Sequence, residues 1–178
     1  MLEDEQNLIA RAKEGEAEAF GLLYDFYMPR IYRFVLVKVG HREEAEDLTH
    51  QTFLKAWEHI ETYESRGYPF SSWLYSIARN SVIDHHRRSK PQVSIDELGD
   101  DILLEKETQG SGLDAKIGWD VMLEAIFRLK GIEQDVLIMR FVDELTHQEV
   151  AKAIGKTEGA TKVIQHRALK NLKKLIES

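Results

Sequence analysis

The stretch YESRGYPFSSWLYSIARNSVIDHHRR, residues 63–88, combines aromatic side chains, a short Gly/Pro loop and the basic end of a helix. Its glycine and proline predict a loop at 64–69, and Ser71 or Ser72 is suited to cap the helix that follows. At about 100° per residue, one side of this helix should pack while the neighbouring side carries a polar stripe. The packing side comprises Phe70, Trp73, Leu74, Ile77, Ala78 and Ser81, and the stripe comprises Ser72, Ser76, Arg79, Asn80 and Arg87.

These features together are typical of a surface that holds single-stranded nucleic acid. An unpaired base offers an aromatic face for stacking, at roughly 1–3 kcal/mol per base, and polar edges for hydrogen bonds, while its backbone attracts cations. The alternative is an ordinary core helix with a solvated face, because aromatic stripes on helices usually serve packing. The rest of the sequence has to decide between these two interpretations.

Composition limits the class of protein. The chain has 178 residues, of which 43% are hydrophobic, enough for one domain or two small ones with buried cores. Only three prolines and 11 glycines interrupt it, which favours helices over many short strands, and the lack of cysteine excludes disulfides and thiolate metal sites. The acidic N-terminus does not resemble a signal peptide, and no apolar run reaches the roughly 18 residues of a membrane span. We therefore expect a cytoplasmic protein with no membrane insertion.

An acidic segment at 91–115 divides the sequence. It contains seven acidic residues and one lysine, with proline and glycine but few aromatic residues, a composition typical of a tether. We predict an all-α protein in which two small helical domains, at 1–90 and 116–178, are joined by this flexible acidic linker. The predicted helices lie near residues 4–14, 16–39 with a bend at Pro29, 43–63 and 71–88, and then near 116–130, 132–142, 146–154 and 157–176.

The second domain carries the motif LTHQEVAKAIGKTEGATKVIQHRALKNLKKL at 145–175. Thr146 and Glu149 predict a capping box for one short helix, Gly155 ends it, and Thr157 can cap the next, which is helix-turn-helix spacing. On the second helix the inward side comprises Thr161, Ile164, Ala168, Leu172 and Leu175, and the outward side comprises Lys162, Val163, His166, Arg167, Lys170, Lys173 and Lys174. A basic outward side suits the major groove of DNA, although a helical hairpin with a solvated lysine face has the same pattern.

With both segments placed, the chain resembles a bacterial RNA polymerase sigma factor of the extracytoplasmic-function (ECF) group of the sigma-70 family, over nearly its whole length. EEAEDLTHQTFLKAW (43–57) is similar to region 2.2, YPFSSWLYSIARNSVIDHHRR (68–88) to regions 2.3 and 2.4, and LTHQEVAKAIGKTEGATKVIQHRA (145–168) to region 4.2. The resemblance implies sigma region 2, a helical bundle, at 1–90, a linker at 91–115 in place of region 3, and the region 4 helix-turn-helix at 116–178.

The same resemblance implies a function. A sigma factor binds core RNA polymerase, through the beta-prime clamp helices and the beta flap, and directs it to the −10 and −35 elements of promoter DNA. An anti-sigma factor is a further expected partner. The alternative is a free-standing helix-turn-helix transcriptional regulator that binds duplex DNA as a dimer. Asn80 and the aromatic loop favour the sigma factor, because a duplex-binding repressor needs no surface for an unpaired base.

The resemblance also implies roles for three sets of residues. The set expected to contact core polymerase comprises Asp47, Leu48, Gln51, Phe53 and Lys55. The set expected to bind the −10 element comprises Tyr68, Phe70, Arg79, Asn80, Arg87 and Arg88. Within it, the loop at 64–70 captures a flipped base, the Asn80 amide reads a base edge and the arginines hold phosphates. The set expected to bind −35 DNA comprises Lys162, Val163, His166, Arg167 and Lys170.

Two stretches depart from the family pattern. Members usually have Gln followed by an acid where this chain has His50 and Gln51, which leaves the affinity for core polymerase open. Where many members read Thr-Val-Lys-Ser-Arg-Leu, this chain reads ATKVIQ at 160–165, without the arginine. The −35 sequence that the group usually reads therefore does not follow from the resemblance, and a sigma-like protein that binds partners without directing transcription stays open as a third interpretation.

Metal-dependent and catalytic functions are not expected. Asp84, His85 and His86 are adjacent on a helix, so each points about 100° from the next and the three cannot share one ion. Asp47 and His50 have the spacing of a metal site in a helical bundle but lack a partner motif. The sequence has no nucleotide-binding loop and no nucleophile arrangement, so it predicts no cofactor, no metal and no enzyme activity.

Overall fold

The computed structural model describes residues 4–88, 121–122 and 124–177, and the chain is all-α across these ranges. The N-terminal bundle (residues 4–88) contains α1 (Glu5–Lys13), α2 (Ala17–Val39), α3 (Arg42–His59) with a following 3-10 turn (Ile60–Thr62), and α4 (Phe70–Arg88). The C-terminal bundle (residues 124–177) contains a helical stretch at 124–127, α5 (Gly131–Leu137), a π-helical turn (Ile138–Val142), α6 (His147–Ile154) and α7 (Glu158–Ile176). The predicted all-α fold is confirmed, and the described helices begin and end within a few residues of their predicted bounds.

Three further predictions concern the linker, the helix at 116–130 and the bend at Pro29. The linker at 91–115 lies outside the described residues, as does the first part of the helix predicted at 116–130. Helix α2 runs through Pro29 as a single element, so the proline removes one hydrogen bond without ending the helix. Among the described residues, no helix is both long and apolar enough to cross a membrane.

Helix α2 is the central element of the N-terminal bundle because its C-terminal half is apolar almost all round. Residues 34–39, FVLVKV, are all buried, and α1, α3 and α4 pack around the helix. A helix of this kind is stable only when neighbours cover every side. The side that carries Lys38 faces α5 of the C-terminal bundle, through an ion pair with Asp135. Both bundles therefore contribute to the surroundings of α2.

Phe70 lies in an aromatic cluster that joins the loop at 63–69 to α2 and α4. Its ring centre is 5.7 Å from that of Tyr27, 5.3 Å from that of Tyr63 and 5.4 Å from that of Trp73. Aromatic pairs at such separations contribute about 0.5–1.5 kcal/mol each beyond the area they bury. Burial raises the pKa of Tyr63 to about 12, so its hydroxyl stays protonated. The cluster anchors the beginning of α4.

The structure corrects two details predicted for α4. The helix begins at Phe70, so Ser71 and Ser72 lie inside it, and the prediction that either one caps the helix is wrong. Ser72 is also fully buried, whereas the helical period placed it on the outward polar stripe. Helix α4 packs against α2, α3 and α6, so more of its circumference is buried than the pattern of one bundle predicts.

The C-terminal bundle has the predicted caps. The Thr146 hydroxyl accepts a hydrogen bond from the Glu149 N–H at 3.2 Å, and the Glu149 carboxylate accepts one from the Thr146 N–H. Gly155 ends α6 with a φ of 66°, which glycine adopts without strain, and Thr157 caps α7 through the Ala160 N–H. On α7, Thr161, Ala168 and Leu172 are buried and Ile164 and Leu175 are partly buried, as predicted. The helix-turn-helix arrangement and the orientation of α7 are confirmed.

Replacing Phe70 should separate a role in the fold from direct contact with a ligand. Phe70→Ala is expected to cost about 3–5 kcal/mol in free energy of unfolding, because it leaves a cavity in a packed cluster. Tyr68→Ala should cost less than about 1 kcal/mol, because the Tyr68 side chain lies at the surface. Urea denaturation followed by circular dichroism measures both values. Similar losses in the two variants would contradict the placement of Phe70.

Candidate nucleic-acid and partner interface

The loop at 63–69 forms a tight turn beside the aromatic cluster. The Tyr68 N–H donates to the Ser65 carbonyl at 2.6 Å, and φ is 43° at Arg66 and 81° at Gly67. Glycine adopts the second conformation readily, whereas a left-handed arginine costs free energy that the surrounding structure has to offset. The Arg66 guanidinium pairs with the Glu64 carboxylate at 2.9 Å. This turn leaves the Tyr68 ring at the surface.

A surface pocket of about 200 Å³ lies between this loop and α4. Tyr68 and Trp73 give it aromatic walls, Glu64 and Arg66 give it polar ones, and Lys152 of α6 closes one edge. The Lys152 ammonium lies 4.8 Å from the centre of the Tyr68 ring, which is a cation–π contact. The pocket has the aromatic and polar walls that an unpaired base requires, and α6 covers one face of Tyr68.

The outward face of α4 carries three of the other residues predicted to bind the −10 element. Asn80, Arg87 and Arg88 are exposed, so their side chains are accessible to a ligand. Phe70 is only 1% exposed and its ring is enclosed by other aromatic rings, so it supports the loop from below. Arg79 is partly buried because its Nε donates to Asp135 of the C-terminal bundle at 2.7 Å.

The residues predicted to contact core polymerase on α3 fall into two groups. Asp47 and Gln51 are exposed, and the Lys55 ammonium is half-buried and donates to the Ser81 hydroxyl at 3.1 Å. Leu48 and Phe53 are 5% and 3% exposed and belong to the hydrophobic core. Their side chains hold α3 in place, and the exposed residues of the helix are left to make contacts.

Leu54 and Glu58 lie on the same exposed face of α3 as Asp47 and Gln51. The spacing of Asp47, Gln51, Leu54 and Glu58 places all four on one side of the helix, and all four are exposed. Leu54 is 58% exposed, which is high for leucine and gives the stripe an apolar centre. Leu54 and Glu58 are not among the residues predicted to contact core polymerase, although the helical period from Asp47 and Gln51 leads to them.

The outward face of α7 is exposed and basic, as predicted for −35 DNA. Lys162, Val163, His166, Arg167 and Lys170 are all exposed, with Val163 at 67%. Two of these cations form ion pairs with acidic residues. Lys162 pairs with Glu158 at 2.7 Å, and Arg167 donates from Nε to Glu133 of α5 at 2.6 Å.

A buried group of charges joins the two bundles, and sequence reasoning did not find it. The Asp135 carboxylate of α5 accepts from the Lys38 ammonium at 2.6 Å and from the Arg79 guanidinium at 2.7 Å. The Lys38 ammonium also donates to the Gly131 carbonyl at 3.2 Å. The side chains of Lys38 and Asp135 are 7% and 2% exposed, so water does little to screen this pair.

A second ion pair crosses between the bundles at the end of the π-helical turn. The Arg33 guanidinium lies 3.4 Å from the Asp143 carboxylate, whose side chain is fully buried. Burial raises the pKa of Asp143 to about 6, and the charge of Arg33 opposes this rise. Burial, together with the charge of Asp143, also raises the pKa of the neighbouring Tyr75 hydroxyl.

One local signal in the sequence points to this charged contact. Lys38 interrupts the apolar run FVLVKV at 34–39, and a lysine inside a buried helix requires a partner. The partner itself has no such signal, because Asp135 is 97 residues away along the chain. Its identity depends on how the bundles pack.

Asp143 should make stability depend on pH. Because its pKa is higher in the folded chain than in the unfolded chain, the folded chain binds the proton more tightly. Its contribution to stability should therefore grow as the pH falls through about 6 and be complete below about 4, the ordinary value for aspartate. Thermal unfolding of the wild type and Asp143→Asn, at intervals between about pH 7 and pH 4.5, measures this difference.

The comparison with Asp143→Asn is necessary because other groups titrate in the same range. Burial lowers the pKa of His86, for example, which should reduce stability as the pH falls. The wild type should gain thermal stability relative to the variant as the pH is lowered. Parallel curves for the two proteins would contradict a raised pKa at Asp143.

Comparisons with known proteins agree with the geometry of both bundles. The family model for Sigma-70 region 2 matches residues 23–92, and the model for Sigma-70, region 4 matches residues 125–174. The chain is 39% identical over 171 residues to the ECF RNA polymerase sigma factor BldN of Streptomyces coelicolor. That alignment covers 95% of this chain, which spans only 64% of the length of BldN.

Two further proteins extend the comparison. The chain is 30% identical over 153 residues to the ECF RNA polymerase sigma factor SigM of Bacillus subtilis, an alignment that covers 86% of this chain and 92% of SigM. The sigma factor RpoE, in its co-crystal structure with the anti-sigma factor NepR from Bartonella quintana, has the same fold. The two chains superpose with a TM-score of 0.67 at 19% sequence identity. The superposition covers 90% of this chain and 98% of the RpoE chain. The chain therefore belongs to the ECF group of the sigma-70 family of RNA polymerase sigma factors.

Proposed function

We propose that this chain is a non-catalytic initiation factor that binds core RNA polymerase and directs it to promoters by recognising −10 and −35 elements. The observation that carries the proposal is the alignment of three residues along one side of α4. Trp73, at the edge of the packing side, lines the loop pocket, and Asn80 and Arg87 follow it at intervals of seven residues, so the three form one row along the helix. A pocket, an amide and a cation in this order suit an unpaired base and the strand that continues from it.

The free-standing regulator fits these observations less well. A protein that reads only duplex DNA requires its recognition helix in the major groove and has no use for a pocket beside an exposed tyrosine. Here the loop pocket lies in the N-terminal bundle, and the helix-turn-helix lies in the C-terminal bundle. Two separate nucleic-acid surfaces in one chain suit a factor that contacts two promoter elements.

Contact with core polymerase is assigned to the exposed face of α3. Its stripe of Asp47, Gln51, Leu54 and Glu58 combines an apolar centre with polar and acidic neighbours, which is the usual composition of a protein interface. Lys55 borders the stripe, whereas Leu48 and Phe53 position the helix from inside. We assign contact with the beta-prime clamp helices to this face of α3. Contact with the beta flap is assigned to the C-terminal bundle.

Contact with −35 DNA is assigned to the exposed face of α7. Lys162, His166, Arg167 and Lys170 provide positive charge, and Val163 offers an apolar surface suited to a thymine methyl group. Arg167 has a second role, since its guanidinium also neutralises the buried Glu133 carboxylate. Residues 1–90 and 116–178 thus act as regions 2 and 4, joined by the linker at 91–115.

The remaining parts of the proposal concern location and regulation. RpoE binds the anti-sigma factor NepR in its co-crystal structure, and the shared fold supports an anti-sigma partner for this chain as well. Because core polymerase and promoter DNA are cytoplasmic, we also place this chain in the cytoplasm.

Run-off transcription with purified core polymerase on a randomised promoter library tests the function and yields the promoter sequence. In that assay Asn80→Ala should weaken open-complex formation and relax the −10 preference, by about 1–3 kcal/mol, because the amide contacts a base edge. Glu18→Ala, at an exposed position of α2 away from the pocket, is the control and should behave as wild type. No transcription with core polymerase, together with tight sequence-specific duplex binding by the free chain, would favour the regulator instead.

Selection of −35 sites from a random pool tests the assignment of α7. Val163→Ser should change the preferred −35 sequence and leave the salt dependence of binding unaltered, because an apolar contact releases no counterions. Lys170→Ala should weaken binding to all sequences alike and reduce the salt slope by about one unit. Lys170 is preferable to Arg167 for this comparison, because Arg167→Ala would also remove a partner of the buried Glu133 carboxylate. An unaltered preference in Val163→Ser would mean that Val163 does not face the bases.

A further inference from the structure

Two of the residues assigned to −10 DNA are held by the C-terminal bundle in this structure. The Arg79 guanidinium pairs with Asp135 at 2.7 Å, and the Tyr68 ring is covered by the Lys152 ammonium at 4.8 Å. Asn80, next to Arg79 on α4, is exposed. The C-terminal bundle therefore covers part of the proposed −10 surface, at Arg79 and Tyr68, and leaves Asn80 accessible.

We propose that Asp135 is the centre of an autoinhibitory latch. Its carboxylate holds Lys38 and Arg79 of the N-terminal bundle, so the free chain is kept closed while Arg79 is paired with a carboxylate and not with DNA. In the open chain, a phosphate of the −10 strand replaces the Asp135 carboxylate on Arg79. The exchange with DNA rests on the proposed function, whereas the closed state of the free chain does not.

Charge and geometry support a direct exchange between the two anions. A carboxylate and a phosphate bind guanidinium with similar geometry, so one can replace the other on the same donors. The Arg79 side chain is 22% exposed, compared with 2% for Asp135, so the arginine lies at the rim of the contact and is uncovered first when the bundles separate. Asn80 lies beside it and is free to contact a base while Arg79 is still paired.

The ionic character of the contact makes it reversible. Buried ion pairs add little net stability, because the cost of removing both charges from water offsets most of their attraction. When the bundles separate, Lys38, Arg79 and Asp135 regain their hydration, which offsets part of the cost of exposing the packed surfaces of α4 and α6. Conversely, loss of one partner leaves the others buried without compensation, which favours the open state.

Distance measurements on the free chain test the latch. The chain contains no cysteine, so spin labels at Glu58→Cys and Lys174→Cys report on the separation of α3 and α7 without a background signal. Both positions are exposed. The wild type should give one short, narrow distance distribution. Asp135→Asn should add a longer and broader population.

Glu133→Gln is the matched control. Glu133 is on the same short helix as Asp135 and its side chain is equally buried, at 3% exposure, but its partners Arg167 and Asn171 belong to the C-terminal bundle itself. This variant removes the same charge and should leave the distance distribution closed. Circular dichroism of each variant shows that both bundles remain folded.

Binding of nucleic acid to the same free proteins tests the competition with Asp135. The probe is a fluorescein-labelled single strand of random sequence, about 12 nucleotides long, a size that such grooves hold. Apparent affinity is reduced by the fraction of chain that is closed, so a chain open about a tenth of the time should gain about tenfold when fully opened. The gain in affinity of each variant should equal its gain in open fraction measured by the spin labels.

Three results would overturn the proposal. They are a broad distance distribution for the wild type, an Asp135→Asn variant that stays closed, and a Glu133→Gln variant that opens as far as Asp135→Asn. Opening without a gain in affinity for the single strand would overturn the exchange at Arg79. Failure of the proposed function is recognised separately, because it appears as absent run-off transcription with core polymerase and leaves the distance distributions of the free chain unaffected.

Discussion

The Asp135 carboxylate is the constraint on which the arrangement of the two bundles depends. It is almost completely buried, and it lies between the Lys38 ammonium at 2.6 Å and the Arg79 guanidinium at 2.7 Å. A buried charge without a partner costs several kcal/mol, so each of the three groups requires the others as long as the bundles are packed. The contact therefore links α2, α4 and α5 across the two bundles.

Helix α5 links this contact to the recognition helix. Glu133 and Asp135 are two residues apart and so point about 200° apart around the helix. Glu133 binds Arg167 and Asn171 of α7, whereas Asp135 binds the N-terminal bundle. A helix of only seven residues thus holds the proposed −35 surface on one side and part of the proposed −10 surface on the other. Movement of α5 would affect both.

The proposed nucleic-acid surface of the N-terminal bundle consists of exposed groups on an aromatic cluster. Phe70 and Tyr63 are buried and hold the loop, while Tyr68 and Asn80 present a ring and an amide at the surface. The same division exists on α3, where Leu48 and Phe53 pack inside. A match to a family motif does not show which side chains stabilise the helix and which are accessible to a partner. The burial of each side chain in the structure makes that distinction.

The sequence by itself determined the helices, the capping box at Thr146, the outward face of α7 and the exposure of Asn80, Arg87 and Arg88. These features follow from helical period and from hydrogen bonds between residues a few positions apart, which are local properties. Only the tertiary structure decided that Ser72 is buried and that Arg79 is paired, because α6 of the other bundle packs against α4 and Asp135 of α5 binds Arg79. Arg79 and Asp135 are 56 residues apart, and Lys38 and Asp135 are 97 apart. At such separations no local preference selects the partner of a charge, and packing alone brings the two together.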